Sequence, residues 1–71
     1  MQQLSPRESQ VVHLVALGKT AKEIGAELSI AESTVNWHVG NVLTKLSASS
    51  RAEAVAKAMR SGQLEAEAPT A

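Results

Sequence analysis

The sequence has no cysteine, no phenylalanine, no tyrosine and a single tryptophan. The absence of cysteine excludes a disulfide scaffold and a thiolate zinc site, and it suits a reducing compartment. No apolar run approaches the roughly 20 residues that a membrane span requires, and no signal-peptide pattern follows Met1. We therefore predict a soluble, cytoplasmic chain with no membrane partner.

The chain is also short, with 71 residues, and its hydrophobic 44% is rich in alanine. A chain of this length forms one small domain with a modest core. A deep, enclosed active-site pocket does not fit such a core. No nucleophile–base–orienter set and no phosphate-binding glycine loop is present either, so we expect neither catalysis nor a cofactor.

The formal net charge is zero, but the charges are unevenly distributed. All seven Lys and Arg residues precede Gly62, whereas Glu65 and Glu67 follow it, so residues 1–62 carry a net charge of +2. A weakly positive domain can bind DNA if its positive charges lie on one face. We predict a domain over residues 1–62 and a disordered tail over residues 63–71.

Helix-start signals recur along the chain. Capping boxes are predicted at Ser5-Pro6-Arg7-Glu8, Thr20-Ala21-Lys22-Glu23 and Ser50-Arg51-Ala52-Glu53. Gly18 and Gly62 follow the first and last predicted helices. No segment alternates with period two, so strands are not expected. The fold class is therefore predicted to be all-α.

Four helices are predicted, at about residues 6–17, 21–28, 32–46 and 51–61. Their inward residues are predicted to be Val11, Val12, Leu14, Val15 and Leu17 in the first, Ile24 and Leu28 in the second, Val35, His38, Val39, Val42, Leu43 and Leu46 in the third, and Ala54, Val55 and Ala58 in the fourth. A capping box at Ser29 would instead start the third helix at Ile30. We favour a start near Glu32, because a three-residue turn lets Ile30 enter the core.

The second and third helices have the lengths and tight connection of a helix-turn-helix. Gly25 lies in the middle of the second helix, where glycine costs about 1 kcal/mol relative to alanine. A close crossing of the third helix would explain this glycine, although any helical bundle can contain one. The pattern favours the helix-turn-helix.

The polar face of the third helix carries the candidate base contacts Asn36, Trp37, Gly40 and Asn41. Asparagine can bond an adenine edge bidentately, and a helix fits the major groove of B-DNA. A glycine in mid-helix allows close approach of the backbone to a ligand. Trp37 fits equally well as a partly buried prop against another helix, and Asn41 as a solvated amide.

Candidate phosphate contacts flank this helix: Thr20, Lys22, Ser33, Thr34, Lys45 and Arg51. The free N–H groups at helix starts also favour anions. Each charge alone fits an ordinary solvated residue, so the cluster is more informative than its members. His38, within the apolar stripe, is predicted to be a hydrogen-bonded core residue, and no metal site is expected.

Taken together, the sequence resembles the LuxR/NarL/GerE-type DNA-binding domain from residue 4 to about residue 60. The matching residues are Leu4-Ser5-Pro6-Arg7-Glu8, Gly18, Lys22-Glu23-Ile24, Leu28, Thr34-Val35-Asn36-Trp37-His38-Val39, Lys45-Leu46 and Ser50-Arg51-Ala52-Glu53-Ala54. The resemblance implies a four-helix helix-turn-helix domain whose third helix enters the major groove. It also implies that the fourth helix pairs subunits, here through an outer side with Ala52, Ala56 and Met59.

Within this family, the run from Val35 to Asn41 is most similar to the acyl-homoserine-lactone quorum-sensing branch. Several positions depart from the usual pattern of the family. Asn36 stands where many members have a basic residue, and many have a second one near Gly40. Ala31 stands where a capping serine is common, and Gly25 where alanine is usual. The resemblance implies either the C-terminal effector part of a longer protein or a stand-alone regulator of the spore-regulator kind.

The expected function is therefore sequence-specific DNA binding by a transcriptional activator. A homodimer on an inverted repeat is expected, with half-sites about one helical turn apart and RNA polymerase as a further candidate partner. The alternative is a helical protein–protein module anchored by Trp37, which the near-zero net charge favours.

Overall fold

The computed structural model describes residues 3–62, which form four α-helices and no strand. The helices are α1 (Pro6–Ala16), α2 (Ala21–Leu28), α3 (Glu32–Leu46) and α4 (Arg51–Arg60). The predicted all-α, helix-turn-helix class is confirmed, and α1 and α4 each end one residue earlier than predicted. The predicted tail, residues 63–71, lies outside the described residues.

Side-chain caps begin three of these helices. In α1 and α2 the predicted boxes are complete: Ser5 and Thr20 each accept from the backbone N–H three residues on, and Glu8 and Glu23 accept in return. The box at α4 is only half formed. The Glu53 carboxylate accepts from the Ser49 N–H at 2.6 Å, not from the cap residue Ser50.

The turn between α2 and α3 settles where α3 begins. Ser29 adopts a left-handed conformation with φ 60° and ends α2, so it does not cap the next helix. Ala31 is the N-cap of α3 and supplies no side-chain hydrogen bond. The predicted start at Glu32 is confirmed, and Ile30 is half-buried against the core.

The turn also explains Gly25. A Cβ built on this residue would lie 2.7 Å from the Ile30 carbonyl oxygen, which is closer than real Cβ atoms approach backbone. The predicted close approach therefore exists, but the turn and not the body of α3 makes it. This contact fixes how tightly α2 and α3 are joined.

The core consists of two clusters that share α3. One cluster comprises Leu4, Val12, Val42, Leu46, Ala54 and Ala58. The other comprises Val11, Leu14, Ala21, Ile24, Val35 and Val39. Leu43 packs against both clusters. Because α3 supplies residues to both, it is held from the side of α1 and α2 and from the side of α4.

One predicted core residue lies outside. Leu17 is 55% exposed, because α1 ends before it and Gly18, with φ +87°, turns the chain away. The hydrogen bonds Gly18 N–H to Val15 O and Lys19 N–H to Leu14 O close this end as a Schellman motif. None of the helices in residues 3–62 is long and apolar enough to cross a membrane.

Candidate nucleic-acid interface

The face of α3 that points away from the core carries the predicted base contacts. Asn36, Trp37 and Gly40 are exposed and Asn41 is half-buried, whereas Val35 and Val39 on the opposite side are buried. Trp37 is 64% exposed. This exposure favours a side chain that is open to a ligand over a partly buried prop against another helix. The indole and the His38 imidazole form an edge-to-face pair, with ring centroids 5.1 Å apart.

Gly40 leaves a gap in this exposed face. A Cβ on Gly40 would meet nothing within 4 Å, so no internal contact requires a glycine. One turn further on, the Thr44 hydroxyl donates to the Gly40 carbonyl oxygen at 3.1 Å. The backbone at Gly40 is thus open to close approach from outside the molecule.

Asn36 is joined to the start of α4. Arg51 Nη2 donates a hydrogen bond to Asn36 Oδ1 at 3.2 Å, and both residues are exposed. The structure thereby brings together a predicted base contact and a predicted phosphate contact that lie 15 residues apart. The sequence carried no signal for this pair, because it depends on how α4 packs beside α3.

Lys45 is placed differently from a freely solvated phosphate contact. Its Nζ lies 2.7 Å from Glu8 Oε1, and its side chain is 30% exposed while that of Glu8 is 6% exposed. Burial acts to raise the pKa of Glu8, but the hydrogen bonds from Lys45 and Ser5 outweigh it and the pKa is lowered. The sequence predicts Glu8 only as a cap, and this ion pair has no sequence signal because its two residues lie 37 positions apart.

The remaining candidate phosphate contacts lie at the starts of α2 and α3. Thr20, Lys22 and Ser33 are exposed, and Thr34 is half-buried. The Thr20 hydroxyl oxygen already accepts from the Glu23 N–H at 3.1 Å, which leaves its own O–H free to donate. The first residues of α3 lack a side-chain cap, so backbone N–H groups there are available to an anion.

The outer side of α4 carries small and apolar residues. Ala52, Ala56 and Met59 are exposed and recur at helical spacing, whereas Ala54 and Ala58 on the inner side are buried. The structure thus presents the predicted pairing residues together on one face.

His38 only partly matches its prediction. The residue is half-buried, as expected, but its Nδ1 is buried without a hydrogen-bond partner among residues 3–62. The same residues contain no group of three or more His, Cys, Asp or Glu side chains that could hold a metal ion.

The two joined helices, the exposed polar face of α3 and its buried apolar stripe define a helix-turn-helix domain of the DNA-binding class. The comparison with known families agrees. The chain belongs to the luxR family of bacterial regulatory proteins (GerE), whose family model matches residues 2–58.

Two relatives of this chain differ greatly in their own length. The transcriptional activator protein SolR of Ralstonia solanacearum is 51% identical over 59 residues, 83% of this chain but only 25% of SolR. The spore germination protein GerE of Bacillus subtilis is 44% identical over 62 residues, which cover 87% of this chain and 84% of GerE. The chain therefore spans about a quarter of SolR and most of GerE.

Solved structures show the same fold. The structure of the transcription factor GerE superimposes with a TM-score of 0.87 and 31% identity, covering 94% of this chain and 100% of that one. The response regulator ChrA, from a haem-sensing two-component system, gives a TM-score of 0.84 and 28% identity. It covers 90% of this chain and 32% of ChrA.

Proposed function

We propose that this DNA-binding regulator docks as a pair on an inverted repeat, with each α3 in the major groove of a half-site. The observation that carries the proposal is the exposure of Asn36, Trp37 and Gly40 on α3, while Val35 and Val39 of the same helix are buried in the core. A helix with one side fixed in the core and the other polar and open can enter a groove without unfolding. Half-sites about one helical turn apart fit a two-fold pair of such helices.

Base recognition is assigned to the exposed face. Asn36 and Asn41 supply amide donors and acceptors for base edges. Trp37 packs its indole against sugar or a thymine methyl group, and Gly40 lets the helix backbone approach the duplex closely. The open space around Gly40 supports this last role.

Phosphate contacts are assigned to the flanks of α3. Thr20, Lys22, Ser33 and Thr34 lie at the starts of α2 and α3, and Arg51 lies at the start of α4. Lys45 keeps a place in this set because an ammonium has three donors and the structure uses one of them on Glu8. These contacts position the domain and supply most of the salt dependence.

Pairing is assigned to the outer side of α4, and activation to the regulator as a whole. Ala52, Ala56 and Met59 would meet their symmetry mates in an isologous contact. The relatives SolR and CarR are both named transcriptional activator proteins, which supports activation. RNA polymerase is the further partner that we propose for an activator. A DNA-binding role requires no catalytic group.

The test compares Asn36→Ala with Lys22→Met on a specific duplex and a random duplex. Asn36→Ala should cost about 1–3 kcal/mol on the specific duplex and flatten preference at one base pair. Lys22→Met should weaken both duplexes alike and reduce the salt slope by about one unit. Fluorescence anisotropy across a salt series measures both quantities, with Arg7→Met as a charge-matched control outside the assigned contacts. Identical behaviour of the two variants contradicts the assigned roles.

A protein–protein role is the second candidate, favoured by the 64% exposure of Trp37. Tryptophan is a frequent anchor in protein interfaces. The salt series separates the two functions. DNA binding falls steeply as salt rises, because counterions are released, whereas a contact anchored by Trp37 does not. If the chain does not bind double-stranded DNA even at low salt, the protein–protein role is favoured.

A further inference from the structure

We propose that Arg51 is a specificity-determining residue, which fixes the Asn36 amide so that Asn36 selects guanine over adenine. The inference rests on the proposed function, because it assumes that Asn36 faces a base. The observation behind it is the hydrogen bond from Arg51 Nη2 to Asn36 Oδ1 at 3.2 Å. Arg51 thereby acts on the base through Asn36, in addition to any contact with phosphate.

The guanidinium forces one orientation of the amide. Arginine has five N–H donors and no acceptor, so only the Asn36 oxygen can face it. The Nδ2 amino group then points away from Arg51, toward whatever approaches the exposed face of α3. A free asparagine can turn its amide over, but one held by an arginine presents donors outward.

This orientation changes which base fits. Bidentate recognition of adenine needs the amide oxygen to accept from N6 while the amino group donates to N7. Guanine instead presents two acceptors, O6 and N7, in the major groove. The hydrogen bond from Arg51 occupies one of the two lone pairs of the Asn36 oxygen and fixes the direction of the amide. The oxygen is therefore less available to the adenine N6 amino group, and Asn36 matches guanine better than adenine. The guanidinium charge beside it adds to this preference, because it attracts acceptors and repels the adenine amino group.

The hydrogen bond is exposed in the free protein, where water competes for both groups. Entry of α3 into the groove removes much of that water. A charge-assisted bond gains strength as the local dielectric falls. Selection by Arg51 therefore operates at the moment when base discrimination is made.

The experiment measures the affinity of the 71-residue chain for duplexes in which each base pair of the preferred half-site is varied in turn. Asn36→Ala first identifies the base pair that Asn36 contacts, as the position where preference flattens. At that position the wild type should prefer guanine. Arg51→Met, which keeps an aliphatic stem but has no donor, should shift the guanine-to-adenine affinity ratio toward adenine by about tenfold.

Two further measurements distinguish positioning from a phosphate contact. Replacing the guanine at that position by 7-deazaguanine should lower the DNA affinity of the wild type more than it lowers the DNA affinity of the Arg51→Met variant. In a double-mutant cycle, Asn36→Ala and Arg51→Met should not be additive at that base pair. Arg7→Met removes the same charge from an exposed residue on α1 and should leave the base ratio unchanged.

The possible outcomes distinguish the role of Arg51 from the base contact of Asn36. A uniform loss for Arg51→Met on all four bases, or a wild-type preference for adenine, overturns the role of Arg51 and leaves the proposed function standing. If Asn36→Ala flattens the base preference at no position, or if the wild type has no sequence preference, the proposed base contact itself is overturned and the inference with it.

Discussion

At the residue scale, Glu8 connects the start of α1 to the end of α3. Its Oε1 accepts from the Ser5 N–H at 2.8 Å and from Lys45 Nζ at 2.7 Å. The residue is only 5% exposed, and a buried carboxylate is costly unless it is paired and hydrogen-bonded. The cap and the ion pair together make this burial tolerable, so α1 and α3 are held by one carboxylate.

We predict that acid removes the contribution of Glu8 to stability. Its pKa in the folded chain lies below the ordinary value of 4.5, so the folded state favours the carboxylate. That contribution is fully present above the unfolded pKa and is lost as pH falls through the folded pKa. Glu8→Gln should lower the free energy of unfolding by roughly 1–2 kcal/mol at pH 7 and reduce the acid sensitivity, measured by urea denaturation at pH 7 and pH 3.

Glu27→Gln is the matched control, because Glu27 is an exposed glutamate of α2. It should keep the wild-type acid sensitivity. Some sensitivity should also persist in Glu8→Gln. The reason is that Glu23 and Glu53 also have a lowered pKa in the folded chain. The largest cause is a backbone N–H donor, that of Thr20 for Glu23 and that of Ser49 for Glu53. If Glu8→Gln and Glu27→Gln lose stability in parallel at every pH, the ion pair contributes nothing.

Hydrogen bonds between distant residues were not predictable from the sequence, whereas local ones were. The role of Glu8 as a cap was predictable, because its partner Ser5 lies three residues away. The partners Lys45 of Glu8 and Arg51 of Asn36 lie 37 and 15 residues away. Such pairs depend on which helix faces lie together, and the spacing of charges along one chain does not contain that information.

Among the helices, α3 contains a glycine, Gly40, that no contact within the described residues requires. Gly40→Ala should stabilise the fold by up to about 1 kcal/mol, because alanine favours the helix and its Cβ meets no atom within 4 Å. The same methyl group should weaken specific DNA binding, because it lies where the backbone is proposed to approach the duplex. Thermal unfolding and anisotropy on the specific duplex measure the two effects, which have opposite signs.

Gly25→Ala provides the comparison within the same motif. It brings the same gain in helix propensity, but its Cβ would lie 2.7 Å from the Ile30 carbonyl oxygen. The turn must shift to accommodate it, so Gly25→Ala should be less stabilising than Gly40→Ala. A Gly40→Ala variant that gains stability and keeps full DNA affinity would remove Gly40 from the interface.

Helix positions were largely predictable at this scale, and the reasons are local. The boxes at Ser5 and Thr20 fixed two helix starts, because each box involves only four neighbouring residues. The prediction that Leu17 lies in the core was wrong, because periodicity placed Leu17 on the apolar side of a helix that ends just before it. The left-handed turn at Ser29 was ambiguous, since serine also caps helices and rarely takes positive φ.

Across the molecule, the proposed recognition face lies on α3 and the proposed pairing face lies on α4, and the two helices meet in a shared buried cluster. Leu46 of α3 and Ala54 of α4 lie in the same buried cluster. In the proposed pair, the packing of α4 would set the direction in which each α3 projects. The distance between the two α3 helices, and with it the proposed spacing of half-sites, would follow from this packing. The all-α class and the polar face of α3 were predictable, but this relative placement was not.

The last prediction concerns that pairing. Met59→Asp places a charge on the exposed outer side of α4 and should lower affinity for the full inverted repeat by about tenfold or more, because two carboxylates would meet across the two-fold axis. Affinity for a single half-site should not change. Gln10→Asp adds the same charge to an exposed position on α1 and should leave both affinities unaltered. If the affinity falls equally on the inverted repeat and on a single half-site, the added charge acts on DNA binding by each chain. In that case α4 is not the pairing surface.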